Sequence, residues 1–325
     1  MADVPPPQPP LRVIVLMPLR DDWTSAAELL YRLDRALASA PCAVHVLLVD
    51  DGSQQDFDPA AFPSRFAAIA GVQILRLRRN LGHQRAIAIG LTHIEQSCPC
   101  DAVLVMDGDG EDTPEGALQL LQAFNGHFAL FAKRSRRTES LVFRLFYQLY
   151  KALHLLLTGV RVEVGNFSIL PARHLKTLVV MSELWNHYAA AMIRSGLPLA
   201  ALPIPRGHRI SGTSRMNVVA LAAHGMSAIS VYGDIVGVRL LFASMTGLLI
   251  AFLAILAAWL RFFTVQSIPS WAACFAGVLI VILIQFVTLG FTLTLTFLSN
   301  RINLSFVPLR DYRMFVEDCR DIFPA

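Results

Sequence analysis

Cysteine is scarce in this chain, with five among 325 residues, at positions 42, 98, 100, 274 and 319. An odd, scattered set excludes a disulfide framework. Cys98-Pro99-Cys100 is spaced too closely for a zinc knuckle or a thioredoxin-like pair, so it reads as loop. Charge is missing altogether from two long stretches. Leu240–Leu260 holds no charged residue, and neither does Trp271–Leu298, where Gln285 is the most polar member. Helices of that length in a soluble core carry a polar face, so its absence excludes them as core helices. Each stretch is long enough to cross ~30 Å of hydrocarbon. A signal peptide is not expected either: MADVPPPQPP reads as a proline-rich, disordered leader over residues 1–11.

The connector Arg261–Ser270 is short, so the two apolar stretches predict a transmembrane hairpin, about 240–260 and 271–298 within 235–300. Arg239 precedes it and Arg301, Arg310 and Arg313 follow, whereas the connector holds only Arg261. Basic residues favour the cytoplasmic face. The expectation is an integral protein of the cytoplasmic membrane, with the large domain, both termini and a tail of 301–325 cytoplasmic. Trp259 and Trp271 are then expected at the opposite interface. Residues 214–234 read as an amphipathic interfacial helix leading into the hairpin. Small residues in the hairpin (Gly247, Ala251, Ala254, Ala257, Ala258, Gly277, Gly290) suit packing against further copies, so a homo-oligomer is expected. The net charge of +4 fits contact with headgroups or phosphates. No nucleic-acid partner is expected.

Before the hairpin, short β-branched runs alternate with helical spacing. Strands are expected at 12–16, 44–49, 72–77, 102–106 and 128–132, and helices at 23–38, 86–94, 141–157 and 181–195. Residues 160–170 are read as a return to the sheet. Polar residues collect just after the strand ends, which predicts an α/β domain over 12–213 with its site at the carboxyl edge of the sheet.

At one such end VLVM runs into DGDGEDTPE, which packs Asp107, Asp109, Glu111, Asp112 and Glu115 together. These carboxylates repel one another unless something positive sits among them. Glycines beside Asp109 permit a tight turn that aims two acids the same way. Oxygen ligands at that spacing suit Mg²⁺ or Mn²⁺, which also takes oxygens from a diphosphate. The plainer alternative is an Asp-Gly turn with solvated acids. A second strand ends in VDDGS at 49–53, and in an α/β sheet both loops open on the same edge.

PLRDD at 18–22, VDDGS at 49–53, RNLGHQRA at 79–86, DGDGEDTPE at 107–115 and RGHRISGTSR at 206–215 occur in this order. The pattern resembles family-2 glycosyltransferases of the GT-A fold, a Rossmann-like mixed sheet. Within them it is similar to the polyprenyl-phosphate branch, the dolichol-phosphate mannosyltransferases and bacterial undecaprenyl-phosphate transferases. The resemblance covers about residues 12–235, and the membrane hairpin matches the bacterial subgroup.

The resemblance implies transfer of a sugar from a UDP- or GDP-sugar to a membrane polyprenyl phosphate, with a divalent metal. It implies that Pro18, Asp22, Asp50 and Asp51 hold the nucleotide's base and ribose. Asp107 and Asp109 match the metal-binding acids, and Glu111 stands where relatives often have a glutamine ligand. Arg134, Arg137 and Ser140 fall where the acceptor phosphate is expected, with Ser214 assigned to the same phosphate. Arg209, Ser214 and Arg215 match a loop that closes over the donor diphosphate. Asp107, Asp109 and Arg209 are the catalytic candidates, and Asp107, Arg209 and Arg215 also face the donor.

The chain departs from the family at several points. Arg20 and Asp21 replace a frequent tyrosine and asparagine, and Asn166 replaces a frequent aspartate. Arg215 replaces a usual lysine, which keeps the charge and changes its geometry. His83 stands where lysine is common and makes a donor-site charge pH-dependent; its plainer role is a loop histidine with no catalytic task. Other functions fit less well. A processive polysaccharide synthase carries a QxxRW segment, which SELWNHYAAA at 182–191 does not offer. A membrane adaptor with an inactive transferase domain has no need of intact acidic loops. Two helices per chain enclose no transport path unless several chains associate.

Overall fold

The apolar, largely β-branched run Val13–Met17 leaves Leu11–Leu19 little choice but a strand, β1, buried from Val13 onward, and its neighbours follow the same logic. The computed structural model describes residues 10–63, 65–134, 141–161, 164–211, 218–265, 270–302 and 306–323. After β1 come α1 (Trp23–Leu37), β2 (Cys42–Asp50), β3 (Ile69–Leu77), α2 (His83–Ser97), β4 (Ala102–Val105), α3 (Pro114–Ala123) and β5 (Ala129–Arg134). Next are α4 (Leu141–Thr158), β6 (Ser168–Pro171), α5 (Leu175–Leu178), α6 (Tyr188–Arg194), β7 (Leu199–Ile204) and α7 (Val218–Ser230). The chain ends with α8 (Gly233–Val265), α9 (Ser270–Ile302), α10 (Pro308–Asp311) and β8 (Val316–Phe323).

The strands form one mixed sheet in the order β7-β5-β6-β4-β1-β2-β3-β8. β1 is parallel to both β2 and β4, and β2 to β3. β6 is antiparallel to β4 and to β5, so β4 and β5 run the same way. This is the α/β mixed sheet that the sequence predicts. Alternation along β1 sorts its side chains. Val13, Val15 and Met17 join one core cluster with α1 and α3, and Ile14 and Leu16 join the other with α2 and α6. Within the first cluster the Asp34 carboxylate accepts the N–H groups of Ala67, Ala68 and Ile69 at 2.7–3.0 Å. Asp34→Ala strips all three donors of their acceptor; a loss of about 2–4 kcal/mol is expected in chemical unfolding of the full-length protein. Asp34→Asn keeps one acceptor oxygen and should lose less.

The structure departs from the sequence reading in three places. The helix expected over 181–195 is formed only from Tyr188, because His187 is extended (φ −161°) and its Nδ1 caps the N–H of Ala190 at 3.3 Å. In the expected return at 160–170, the strand among the described residues is Ser168–Pro171. The expected tail is not a tail: Val316–Phe323 pairs antiparallel with β3 and covers what would be the sheet's edge.

The chain divides into two units, Met1–Arg144 with Val162–Val231 and Phe306–Ala325, and Leu145–Arg161 with Tyr232–Ser305. In the second, α8 and α9 are each 33 residues long, about 50 Å at 1.5 Å per residue. Gly233–Arg261 and Cys274–Thr292 are candidate membrane spans by length and composition. Their large apolar side chains are exposed, among them Phe242, Phe252, Phe275 and Phe286. Thr288, Thr292 and Thr296 return their hydroxyls to carbonyls one turn back at 2.8 Å, which hides those donors within the helix. Three of the small residues pack within the hairpin itself. A Cβ on Gly247 would meet Leu283 at 3.2 Å, one on Gly290 would meet Leu241 at 3.5 Å, and Ala251 is buried. Gly277 has open space around it. Arg239 donates to the carbonyl of Leu156 at 2.9 Å and caps the end of α4.

Candidate active site

Four loops meet at the carboxyl edge of the sheet. The first follows β1. Asp21 takes a left-handed conformation (φ 48°), its N–H donates to Ser53 Oγ at 2.8 Å, and its carboxylate accepts the N–H groups of Gln54 and Gln55. The second, after β2, is bound to the third. Both oxygens of Asp51 are taken by the N–H groups of Leu81 (2.6 Å) and Gly82 (2.9 Å). Burial pushes the Asp51 carboxyl above its ordinary range even against those two bonds. Asp50 is 1% exposed; Oδ1 accepts the Ser53 N–H at 2.9 Å and Oδ2 lies 3.6 Å from Arg76 Nε.

The fourth loop is the acidic turn after β4. Gly108 is buried against Met17 and the carbonyl of Pro18, where a Cβ would lie at 3.3 Å from each. The Asp107 N–H donates to Asp112 at 2.9 Å, so Asp112 is spent inside the turn. His83, at the head of α2, brings Nε2 to 3.1 Å from Asp107 Oδ1 and 3.0 Å from Asn166 Nδ2. Burial alone pushes the His83 pKa down, but Asp107, then Asp112 and Asp109, carry it above the ordinary histidine value.

The segment 206–210 lies along this turn. The N–H of Gly207 donates to the carbonyl of Glu111 and that of Ile210 to the carbonyl of Asp109, both at 2.9 Å. Arg209 Nη2 reaches Asp109 Oδ2 at 2.5 Å, and Arg206 pairs with Glu111. Gly110 (φ 88°) allows the approach, since a Cβ there would meet Ile210 at 2.5 Å. Burial raises the Asp109 pKa first, Asp107 and Glu111 raise it further, and Arg209 opposes them only in part.

These residues fit a divalent cation as a two-carboxylate site. Asp107 and Asp109 are hard oxygen donors crowded by like charge, which is the electrostatic strain that a cation relieves. Glu111 is turned to Arg206 instead, and among the described residues no three His, Cys, Asp or Glu side chains are grouped to hold a metal. A cation here would complete its shell from phosphate oxygens and water.

The structure thus brings Pro18, Asp22, Asp50, Asp51, Asp107, Asp109, Glu111 and Arg209 to one edge. Asp50 and Asp51, expected on the nucleotide, spend their oxygens on loop amides and Arg76. Asp22 starts α1, its carbonyl accepting the N–H of Ala26 at 3.1 Å. Arg134 ends β5, beside Ile204 of β7 in register, on the strand direction that leads to the same edge. Arg137, Ser140, Ser214 and Arg215 lie outside the described residues. Sequence reasoning missed the pairing of Glu111 with Arg206 and the amide chain behind His83. In that chain Gln84 accepts the Tyr188 N–H at 2.7 Å and donates to Asn166 at 3.1 Å. The adjacency of His83 and Gln84 at a helix start was the available signal.

Residues 15–176 match the family model described as glycosyl transferase family 2. The uncharacterized glycosyltransferase YkcC of Bacillus subtilis (strain 168) is 21% identical over 286 residues, 83% of this chain and 85% of that protein. An undecaprenyl-phosphate 4-deoxy-4-formamido-L-arabinose transferase of Klebsiella pneumoniae (strain 342) is 30% identical over 135 residues, 41% of this chain. The match spans only 40% of that relative's length. A solved structure of glucosyl-3-phosphoglycerate synthase from Mycobacterium tuberculosis, with Mn²⁺, UDP-glucose and phosphoglyceric acid, covers 70% of this chain and 80% of its own. Its identity is 16% and its TM-score 0.47. With its acidic turn at the edge of a mixed α/β sheet and its residues 15–176 within the family model, this chain carries a glycosyl transferase family 2 domain and is a glycosyltransferase.

Proposed function

We propose that the enzyme transfers a sugar from a UDP- or GDP-sugar to a membrane polyprenyl phosphate. The observation that carries the acceptor class is the pair of exposed apolar helices on the same chain as the transferase domain. A polyprenyl tail does not leave the bilayer, so its transferase gains by staying there too. The Klebsiella relative, named for an undecaprenyl-phosphate acceptor, supports the same reading.

In this reading Asp107 and Asp109 hold Mg²⁺ or Mn²⁺. The cation supplies charge neutralisation to the departing nucleoside diphosphate. Pro18, Asp22, Asp50 and Asp51 shape the base and ribose pocket. Arg209 is poised to share its guanidinium between Asp109 and the diphosphate, and Arg215 is assigned to the same diphosphate. Arg134, Arg137, Ser140 and Ser214 receive the acceptor phosphate. One of that phosphate's oxygens attacks the anomeric carbon while the bond to the diphosphate oxygen breaks and its electron pair leaves with the nucleotide. A phosphate monoester is already ionised at neutral pH, so the enzyme needs orientation and desolvation more than a general base. The basic residues flanking the hairpin support a catalytic domain and termini on the cytoplasmic side of the inner membrane. Assembly of copies through the hairpin remains the proposal for quaternary state, and crosslinking in native membranes tests it.

The test incubates membranes carrying the protein with labelled UDP- and GDP-sugars and polyprenyl phosphate, with and without chelator. The expected result is a labelled, organic-soluble phosphodiester from one donor, lost on chelation and regained with Mg²⁺ or Mn²⁺. No chelator-sensitive lipid product from any donor would sink the reading.

A further inference from the structure

The transfer reaction as described makes no use of β8, the strand that follows the second apolar helix in the chain. It is built firmly onto β3. The Arg78 N–H donates to the Phe315 carbonyl at 2.9 Å, Arg78 Nε to the Val316 carbonyl at 3.1 Å, and Gln73 Nε2 to Asp321 at 2.8 Å. The registers line up Leu19, Asp50, Arg76 and Asp318 across β1, β2, β3 and β8 at the carboxyl edge. In that row Arg76 is the cation among acids. Its Nε lies 3.6 Å from Asp50 Oδ2 and 3.8 Å from Glu317 Oε2, and its Nη2 lies 3.9 Å from Asp56 Oδ1.

The three pairs are unequal. Asp56 is fully exposed at its side chain and Glu317 is half-exposed, so water screens both. Asp50 is buried, and apart from the Ser53 N–H its carboxylate has Arg76 as its charged neighbour. A buried carboxylate deprived of its cation is an uncompensated charge and is drawn toward water. That movement disturbs the 50–53 loop, which Asp51 and Gly52 press onto residues 79–82.

We propose that Arg76 is a positioning residue of the donor pocket, and that β8, through Glu317, holds its guanidinium beside Asp50. The inference rests on the reading of this edge as a nucleotide-sugar site. It makes the segment after the apolar hairpin a working part of that site.

The test uses the full-length enzyme and two readouts: calorimetric binding of UDP and of GDP, and donor KM separated from kcat. Arg76→Gln should weaken binding of whichever nucleoside diphosphate the parent binds by about tenfold, raise donor KM to match and leave kcat within about twofold. Arg76→Lys should recover most of the loss. Glu317→Gln should cost about threefold in the same direction, and it carries the test if Arg76→Gln does not fold. The double exchange Arg76→Glu with Glu317→Arg rebuilds the cross-strand pair but sets Glu beside Asp50. It should regain unfolding temperature without regaining nucleotide affinity. Undiminished affinity in folded Arg76→Gln, or in Glu317→Gln, overturns the proposal. So does recovery of affinity in the double exchange, because Arg76 would then only strap β8 to the sheet. A parent enzyme that neither binds UDP or GDP nor makes lipid product refutes the functional reading itself, which is a separate outcome.

Discussion

Asp109→Asn is expected to lower sugar transfer on the order of 100- to 1,000-fold while leaving the protein folded. The argument has two halves. Asparagine keeps the shape of the side chain and an oxygen for the Glu111 N–H, which Asp109 Oδ1 accepts at 2.9 Å. What it loses is the charge that a divalent cation needs and that Arg209 now contacts. The stability half has a definite sign. Burial and the neighbouring Asp107 raise the Asp109 pKa above 3.8, so its ionised form is disfavoured in the fold. A raised carboxylate pKa costs stability as pH rises through the window above 3.8, and the cost vanishes below it. At neutral pH without metal, removing the charge should therefore hold or raise the unfolding temperature, a trade of stability for function. Calorimetric titration with Mn²⁺ and lipid-product assays on the same preparation check both halves. Full turnover in the variant would show that Asp109 is not a metal ligand.

Gly52→Ala should be the most damaging single methyl in the donor pocket. Gly52 has φ 66°, where an L side chain is strained by about 1–2 kcal/mol. A Cβ there would lie 2.5 Å from the Asn80 nitrogen and 2.6 Å from the Arg79 carbonyl carbon, both backbone atoms that cannot rotate away. Overpacking adds about 1–3 kcal/mol. Gly126 provides the control: its φ is 74° but nothing lies within 4 Å of its Cβ position. Gly126→Ala should thus show the strain alone and leave nucleotide binding intact. In Gly52→Ala the loops at 50–53 and 79–82 are forced apart, so unfolding temperature and UDP or GDP affinity should fall together. Equal losses in the two variants would mean that the close approach of these loops does not matter.

Much of this architecture was legible in the chain. Strand runs such as Val13–Leu16 and Val44–Val49 are too apolar and β-branched to be anything but buried strands, and their polar termini announce the site edge. The two uncharged stretches declare themselves by composition. The acidic turn could be read because a glycine-spaced cluster of carboxylates at a strand end repels itself unless a cation or solvent answers it. Less visible were features that depend on which groups meet. Val316–Phe323, VEDCRDIF, is half charged and lacks the pattern of a buried strand, so nothing local marks it as β8. His83 could not be placed against Asp107 and Asn166, which are 24 and 83 positions away in sequence.

The amino-acid sequence by itself determined the α/β class, the acidic loops, the apolar hairpin and the family, because periodicity, composition and local motifs are properties of neighbours along the chain. Tertiary structure alone decided that Asp50 and Asp51 serve the loops around them, that Arg209 and Arg206 divide the acids between them, and that the chain's last strand guards β3. Those outcomes turn on through-space electrostatics and hydrogen bonding between residues far apart in sequence, and only the assembled sheet brings them within reach of one another.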